Sequence, residues 1–372
     1  MIFFFLTFPL ALFYWLYLIR YRIKEYSSVF GFVTGASLLI YLSISIFLIS
    51  FREIGVIDGI IYGGTDAPAY LSIYNSANIA FLDSLLVQFY EPGYATIVWF
   101  FSSYIGGYEI FQVFIYAFIY GTLYFYLKFF KPNGYLLVPI LMLSFMVVSS
   151  LNILRVTVAI FIGFYVFYFL FKEKFFKAFL ISILAVSVHT SAIFLLIMLA
   201  FYLLFNKLGK INYWSVYLLF LALLFIASFF VLPGLLSSHR LGVYNENEGE
   251  FSLNTFIVAS IVIFLTFNRY KAFVDYSRFN KTLIAILPTI FFVLPIFYNY
   301  PIGYRFLLYY LPIVFLLLPS IFYIYNPVLK KNLIYFPLLF ALSFYVVIKI
   351  YLFFTIGIKH SKVFSINLTG LL

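Results

Sequence analysis

Long apolar runs separated by short polar linkers make up nearly all of this 372-residue chain. A helix needs about 20 residues to cross the hydrocarbon core of a bilayer. Runs suited to that role occupy residues 2–19, 29–50, 108–127, 135–151, 153–171, 178–188, 191–206, 213–232, 251–268, 282–298, 306–324 and 333–354. They lack the alternation of a membrane barrel, and an open strand in lipid leaves backbone groups unpaired, so helix is predicted for each. The pattern predicts an all-α polytopic membrane protein with about 12 transmembrane helices. No polar stretch is long enough for a separate soluble domain, so residues 1–372 read as a single transmembrane domain.

Two places depart from this regularity. Residues 94–105 are apolar but too short to span comfortably, and the side on which the basic linkers fall requires the chain to return to where it came from. A re-entrant or horizontal helix at the outer face is predicted there. The runs 178–188 and 191–206 are also short and meet at Val188-His189-Thr190-Ser191, which predicts a hairpin with its tip below the outer surface. Non-helical backbone at membrane depth is tolerated only where protein buries it or it lines a wet cavity. Both features therefore predict a cavity open to the outside.

Composition agrees with lipid as the solvent: 66% of residues are hydrophobic and only 9% charged, against about 25% charged in a typical soluble domain. The net charge of +11 does not indicate nucleic acid. Most of the Lys and Arg fall in every second linker, at Arg20/Arg22/Lys24, Lys128/Lys131, Lys172/Lys174/Lys177, Lys207/Lys210, Arg269/Lys271/Arg278/Lys281 and Lys330/Lys331. This is the positive-inside pattern, and it predicts both termini outside the cytoplasm. Cysteine is absent, which excludes disulfides and thiolate chemistry. Run 2–19 has neither a basic leader nor a small-residue cleavage site and reads as a retained first helix.

The insertion rule leaves four arginines unexplained on the outer side: Arg52, Arg155, Arg240 and Arg305. Arginine stays charged and presents a fork of donors suited to phosphate or carboxylate. Arg52 and Arg240 have acids nearby, Glu53 and Glu246/Glu248/Glu250, and any of these arginines can also snorkel to headgroups. Arg155 and Arg305 each start an apolar span with no acid in their own loop. Either a distant acid such as Asp66 or Glu91, or an anionic ligand, is expected to neutralise them. Asp66 lies in the turn-rich stretch from Tyr62 to Tyr70, and Glu91 opens Glu91-Pro92-Gly93-Tyr94 just before the short helix. Acids beside tyrosines suit a sugar site, though solvated loop acids look the same. His189, at the predicted hairpin tip, is an intramembrane ionisable group and so a functional candidate. A histidine that caps the hairpin through its backbone gives the same sequence. No zinc-hydrolase, phosphate-loop or serine-nucleophile motif is present, and no metal site is predicted.

In chain order these residues form Gly64-x-Asp66-x-x-x-Tyr70, Glu91-Pro92-Gly93-Tyr94, Arg155-x-x-x-Ala159, His189-x-Ser191-Ala192 and Arg305-x-x-x-Tyr309. The set resembles the EpsG-like branch of the Wzy polysaccharide polymerases, which make O-antigen, capsule and exopolysaccharide, over about residues 30–325. Val156 departs from the pattern, where a polar residue, often Gln, follows the arginine. The resemblance implies a fold like that of the C-type, lipid-dependent membrane glycosyltransferases. It further implies a cytoplasmic-membrane enzyme acting on the outer face, with a polyprenyl-diphosphate-linked oligosaccharide as donor and the non-reducing-end sugar of a second lipid-linked repeat as acceptor. No cofactor is expected; the partners are membrane lipid and the pathway's flippase and chain-length regulator. Arg155 and Arg305, with Arg52 or Arg240 assisting, are expected at the diphosphate. His189, Asp66 or Glu91 is expected to take the acceptor proton, and Tyr70, Tyr94 and Tyr309 to hold sugar. A transporter or flippase also suits broken helices with intramembrane charge. A membrane acyltransferase that modifies the glycan and a glycan ligase complete the alternatives.

Overall fold

In the computed structural model the described residues are 43, 46–47, 49–51, 54–57, 60–62, 66–77, 81, 91–127, 153–230, 254–293, 303–329 and 337–338, and 89% of them are helical. The chain divides into two compact units. The first takes in residues 1–161, 187–189 and 343–372; the second takes in 162–186 and 190–342.

The first unit opens with a feature the hydrophobic pattern did not predict, an antiparallel hairpin of β1 (Gly55–Ile57) and β2 (Ile60–Tyr62) with Val56 opposite Ile61. Asp58-Gly59 between them is a favoured two-residue hairpin sequence. Next comes α1 (Ala67–Ser76), with Pro68 in its first turn. Tyr70 thus sits on a helix, where the sequence suggested a loop: proline there lacks only an N–H that the first turn leaves unused. Helix α2 (Pro92–Phe100) also starts on proline and runs into a π-turn, Phe101–Ile105, closed by Gly106 at φ 91. Together they rise about 21 Å at 1.5 Å per residue, short of the roughly 30 Å hydrocarbon core. The predicted short helix is present. Helix α3 (Tyr108–Leu127) matches its predicted bounds. The Tyr74 hydroxyl of α1 donates to the Gly106 carbonyl, and its ring packs on Tyr108 and Phe111 at 5.2 and 5.3 Å.

Helix α4 (Leu154–Phe171) begins in the first unit and ends in the second. It stops in a left-handed turn at Glu173, where the Lys174 N–H donates to the Phe169 carbonyl at 2.8 Å. This leads into α5 (Phe175–Val188). On α5 the small residues Ala178, Ser182 and Ala185 are buried, while Phe176, Phe179, Leu180, Ile183 and Leu184 are exposed. Large apolar groups outward and small ones inward is the arrangement of a helix facing lipid.

The helix breaks at His189, as predicted, and resumes through a 3-10 turn, Thr190–Ala192, into α6 (Ile193–Phe230). The helical assignment is unbroken from Ile193 to Phe230, but the Phe201 and Phe220 rings stand 5.3 Å apart, where 19 residues of straight helix would separate them by about 29 Å, so the runs 191–206 and 213–232 fold back on each other. Both rings also pack on Phe292, at 4.6 and 5.2 Å, and the polar linker with Lys207, Gly209 and Lys210 lies within the reversal.

Beyond it lie α7 (Asn254–Asn268), α8 (Tyr270–Tyr276) and α9 (Arg278–Ile286). Residues Phe256–Asn268 and Tyr270–Tyr276 meet at 88°. The predicted span 282–298 is interrupted as Pro288 turns the chain into a 3-10 stretch, Leu287–Phe292. The predicted span 306–324 is likewise divided, into α10 (Gly303–Leu307) and α11 (Leu311–Leu329), with turn residues 308–310 between them.

Within the second unit, Phe171 packs on Phe279 at 5.7 Å, Phe175 on Tyr202 at 6.3 Å and Phe205 on Tyr270 at 6.3 Å. These contacts gather the basic segments 172–177, 207 and 269–281 at one end of the unit.

Among the described residues, Leu154–Phe171 and Thr190–Lys207 are long and apolar enough to cross a membrane, and the bent pair makes a third if taken as one span. The runs 2–19 and 135–151, and most of 29–50 and 333–354, lie outside the described residues.

Candidate active site

The first unit concentrates charge around one acid. Glu91 stands just before α2, where Pro92 sets the direction of the helix. Its side chain is only 9% exposed. One carboxylate oxygen, Oε2, accepts from Arg155 Nη1, while Oε1 lies 3.5 Å from His189 Nε2. One acid thus meets two basic side chains that stand 64 and 98 positions away in sequence. Arg155 comes from the first turn of α4 and keeps 32% of its side chain exposed. His189 is buried in the break that follows α5.

A close approach makes this meeting possible. A Cβ on Gly93 would lie 3.0 Å from the Ser187 backbone carbonyl carbon and closer still to its Oγ. Only glycine lets the start of α2 pass so near the last turn of α5, and that contact holds Glu91 beside His189. Neither Gly93 nor Ser187 carries a charge or a motif of its own, and sequence reasoning assigned neither a role. The signal available was Gly93 within Glu91-Pro92-Gly93-Tyr94.

Two aromatic rings complete the cluster. The Arg155 guanidinium carbon lies 5.7 Å from the ring centroid of Tyr70 on α1 and 5.7 Å from that of Tyr94 on α2. The rings meet edge to face at 6.4 Å, and both residues are buried. Burial pushes the Tyr70 phenol above its usual pKa, against the opposing pull of Arg155, so it remains protonated at neutral pH. Asp66 is exposed at the N-cap of α1, and its carbonyl accepts from the Tyr70 N–H at 3.1 Å.

The second unit holds the other described candidates. Helix α10, which carries the half-buried Arg305, packs against the Thr190–Ala192 turn. Ser191 Oγ donates to the buried Tyr309 hydroxyl at 3.3 Å, and Thr289 Oγ1 and the Tyr310 hydroxyl share a 3.0 Å hydrogen bond. Phe194 and Phe306 stack alongside at 4.6 Å. Arg52 and Arg240 lie outside the described residues. No group of three or more metal-type ligands occurs among the described residues.

Apolar helices broken by short turns, with the buried Glu91 and His189 and the half-buried Arg155 beside one of the breaks, define a membrane protein that holds a charged cluster. The EpsG family model matches residues 54–359, and the chain belongs to that family, the family of Wzy-like polysaccharide polymerases. No curated protein and no solved structure matches the chain.

Proposed function

We propose that this protein polymerises lipid-linked oligosaccharide repeats into a surface polysaccharide at the outer face of the cytoplasmic membrane. The Glu91–Arg155–His189 cluster is the observation that carries the reading. In the proposed reaction the hydroxyl oxygen of the acceptor's non-reducing-end sugar attacks the anomeric carbon of the donor glycan. The bond from that carbon to the diphosphate oxygen breaks, and the polyprenyl diphosphate leaves with the electron pair. Negative charge grows on the departing oxygen, and a fixed guanidinium there stabilises the transition state. Arg155 supplies it, with Arg305, Arg52 and Arg240 as further diphosphate contacts. The hydroxyl proton passes to His189. Glu91 orients that imidazole and stabilises the imidazolium that forms, as a carboxylate does beside other general-base histidines. Direct displacement with one base inverts the anomeric configuration, so a product that retains it would contradict this scheme.

Support for the outer-face placement comes from the ends of the helices. Arg155 and Lys172 stand at opposite ends of α4. Within the second unit, the turn packed against α10 lies about 24 Å along the helix from Lys207, at 1.5 Å per residue. Arg155 and the helix that carries Arg305 thus stand away from the lysine-rich ends.

The test is a glycan length profile from cells lacking the protein, beside cells carrying Arg155→Ala or His189→Ala at normal protein level. The expected result is collapse of the ladder to a single repeat in all three. A persistent ladder with reduced total glycan or reduced acetylation would instead indicate transport or acyl transfer.

A further inference from the structure

We infer that Tyr70 and Tyr94 are positioning residues for Arg155: their two rings hold its guanidinium at the donor's diphosphate, and neither serves as a platform for sugar. The inference rests on the reading of Arg155 as a diphosphate ligand.

A sugar platform needs a ring face open to the ligand, and both tyrosines are buried. What each ring faces is the guanidinium, at the same 5.7 Å from both centroids. The Tyr94 hydroxyl is buried with no hydrogen-bond partner among the described residues, so its ring rather than its hydroxyl makes the contact. The Tyr94 ring is held in turn by Phe111 of α3, edge to face at 6.4 Å.

The arrangement has a physical purpose. A free arginine side chain has many rotamers, and freezing them on binding costs affinity. Two rings and one carboxylate fix this one before the ligand arrives. The ring quadrupoles attract the cation without neutralising it, whereas a second carboxylate would cancel the charge the diphosphate needs. The two rings also come from separate elements, α1 and α2, so the clamp sets both against the first turn of α4. An aromatic residue at each position is therefore required; the hydroxyl is dispensable at Tyr94, whereas at Tyr70 it also hydrogen-bonds Arg155.

The experiment uses inorganic pyrophosphate, which carries the leaving group's charge and no sugar, as an inhibitor of the purified full-length protein in a lipid-linked-repeat polymerisation assay. Arg155→Gln, Tyr70→Leu, Tyr94→Leu, Tyr70→Phe and Tyr94→Phe are compared with the parent, with thermal unfolding as a check on folding. The Leu variants are expected to weaken pyrophosphate inhibition about 5-fold and to raise the donor KM alike, with the acceptor KM unchanged, as loss of a partly desolvated cation–π contact implies. Tyr94→Phe is expected to stay within about 2-fold of the parent, because the ring face is kept, and Tyr70→Phe to fall between the parent and Tyr70→Leu, because it keeps the ring and loses the hydroxyl's hydrogen bond to Arg155. Should Tyr94→Leu fold poorly, Tyr70→Leu decides. The clamp is overturned if Arg155→Gln weakens inhibition while the Leu variants do not. It is also overturned if the Leu variants raise the acceptor KM and leave pyrophosphate untouched, since that is the behaviour of a sugar platform. If Arg155→Gln leaves inhibition unchanged, or the parent is not inhibited at all, the diphosphate reading of Arg155 fails first and the clamp loses its object.

Discussion

Glu91 and Arg155 are unequal partners, and the inequality makes a prediction. Removing the arginine leaves a carboxylate that is only 9% exposed, with His189 at 3.5 Å as the remaining charge partner shown. Removing the acid leaves an arginine that is 32% exposed, still over two rings and in reach of water. Breaking a buried pair is costly mainly because of the charge left behind. Arg155→Gln is therefore expected to destabilise the protein by about 2–3 kcal/mol and Glu91→Gln by about 1 kcal/mol less. Thermal unfolding in detergent checks the order, and a larger loss for Glu91→Gln would show that the acid is better hydrated than its burial implies. At this scale the sequence was informative about which residues matter and silent about how they meet. Arg155 without an acid in its own loop called for a distant acid, Asp66 or Glu91, or an anionic ligand, and Glu91 is the acid it meets. That Glu91 would also face His189 was not legible, because no short-range pattern relates positions so far apart. Nor does the sequence separate a tyrosine that faces a cation from one that faces a sugar; only its burial and its neighbours do.

Among the elements, the approach of α2 to α5 decides whether the cluster exists. Gly93→Ala would force its Cβ into Ser187, and both the hydroxyl and the backbone carbonyl carbon stand in the way. Overpacking of this kind costs about 1–3 kcal/mol. Here it should also move Glu91 away from His189, so polymerisation is expected to fall more than stability. Adding Ser187→Ala removes the hydroxyl but not the carbonyl, so partial recovery of glycan length is expected. Full activity in Gly93→Ala alone would mean that this approach does not set the site. The elements also show where hydrophobic pattern runs out as a guide. Helix α3 was legible because the polar flank before it coincides with a real helix start at Tyr108. Lys207 and Lys210 marked both a change of polarity and a reversal of the chain, which brings the rings of Phe201 and Phe220 to 5.3 Å. Pro288, by contrast, lies inside an apolar run and turns α-helix into 3-10 helix. Polarity reports where a segment meets water, whereas backbone continuity depends on proline, glycine and caps.

For the molecule as a whole, the positive-inside pattern makes an orientation claim that this chain is well suited to test. Contacts within the second unit bring Lys172, Lys174, Lys177, Lys207, Arg269, Lys271 and Arg278 to one end, and all are exposed. Their convergence is what the alternation of basic linkers requires of neighbouring helices, and Lys207 stands where the chain folds back between Phe201 and Phe220. Lysine and arginine near helix ends favour the cytoplasmic side, so the segment 172–177 is predicted there and Asp66 on the opposite side. The chain has no cysteine, so a single introduced thiol reports without background. Lys174→Cys and Asp66→Cys both alter exposed positions. With a membrane-impermeant maleimide on intact cells or spheroplasts, Asp66→Cys is expected to label and Lys174→Cys only after the membrane is opened. The reverse result would place the Glu91–Arg155–His189 cluster on the cytoplasmic side, where a lipid-linked repeat has not yet been exported, and would remove the basis for polymerisation at the outer face. Labelling of both positions from outside would mean instead that the lysine-rich end is not cytoplasmic, and the charge rule would no longer orient this chain.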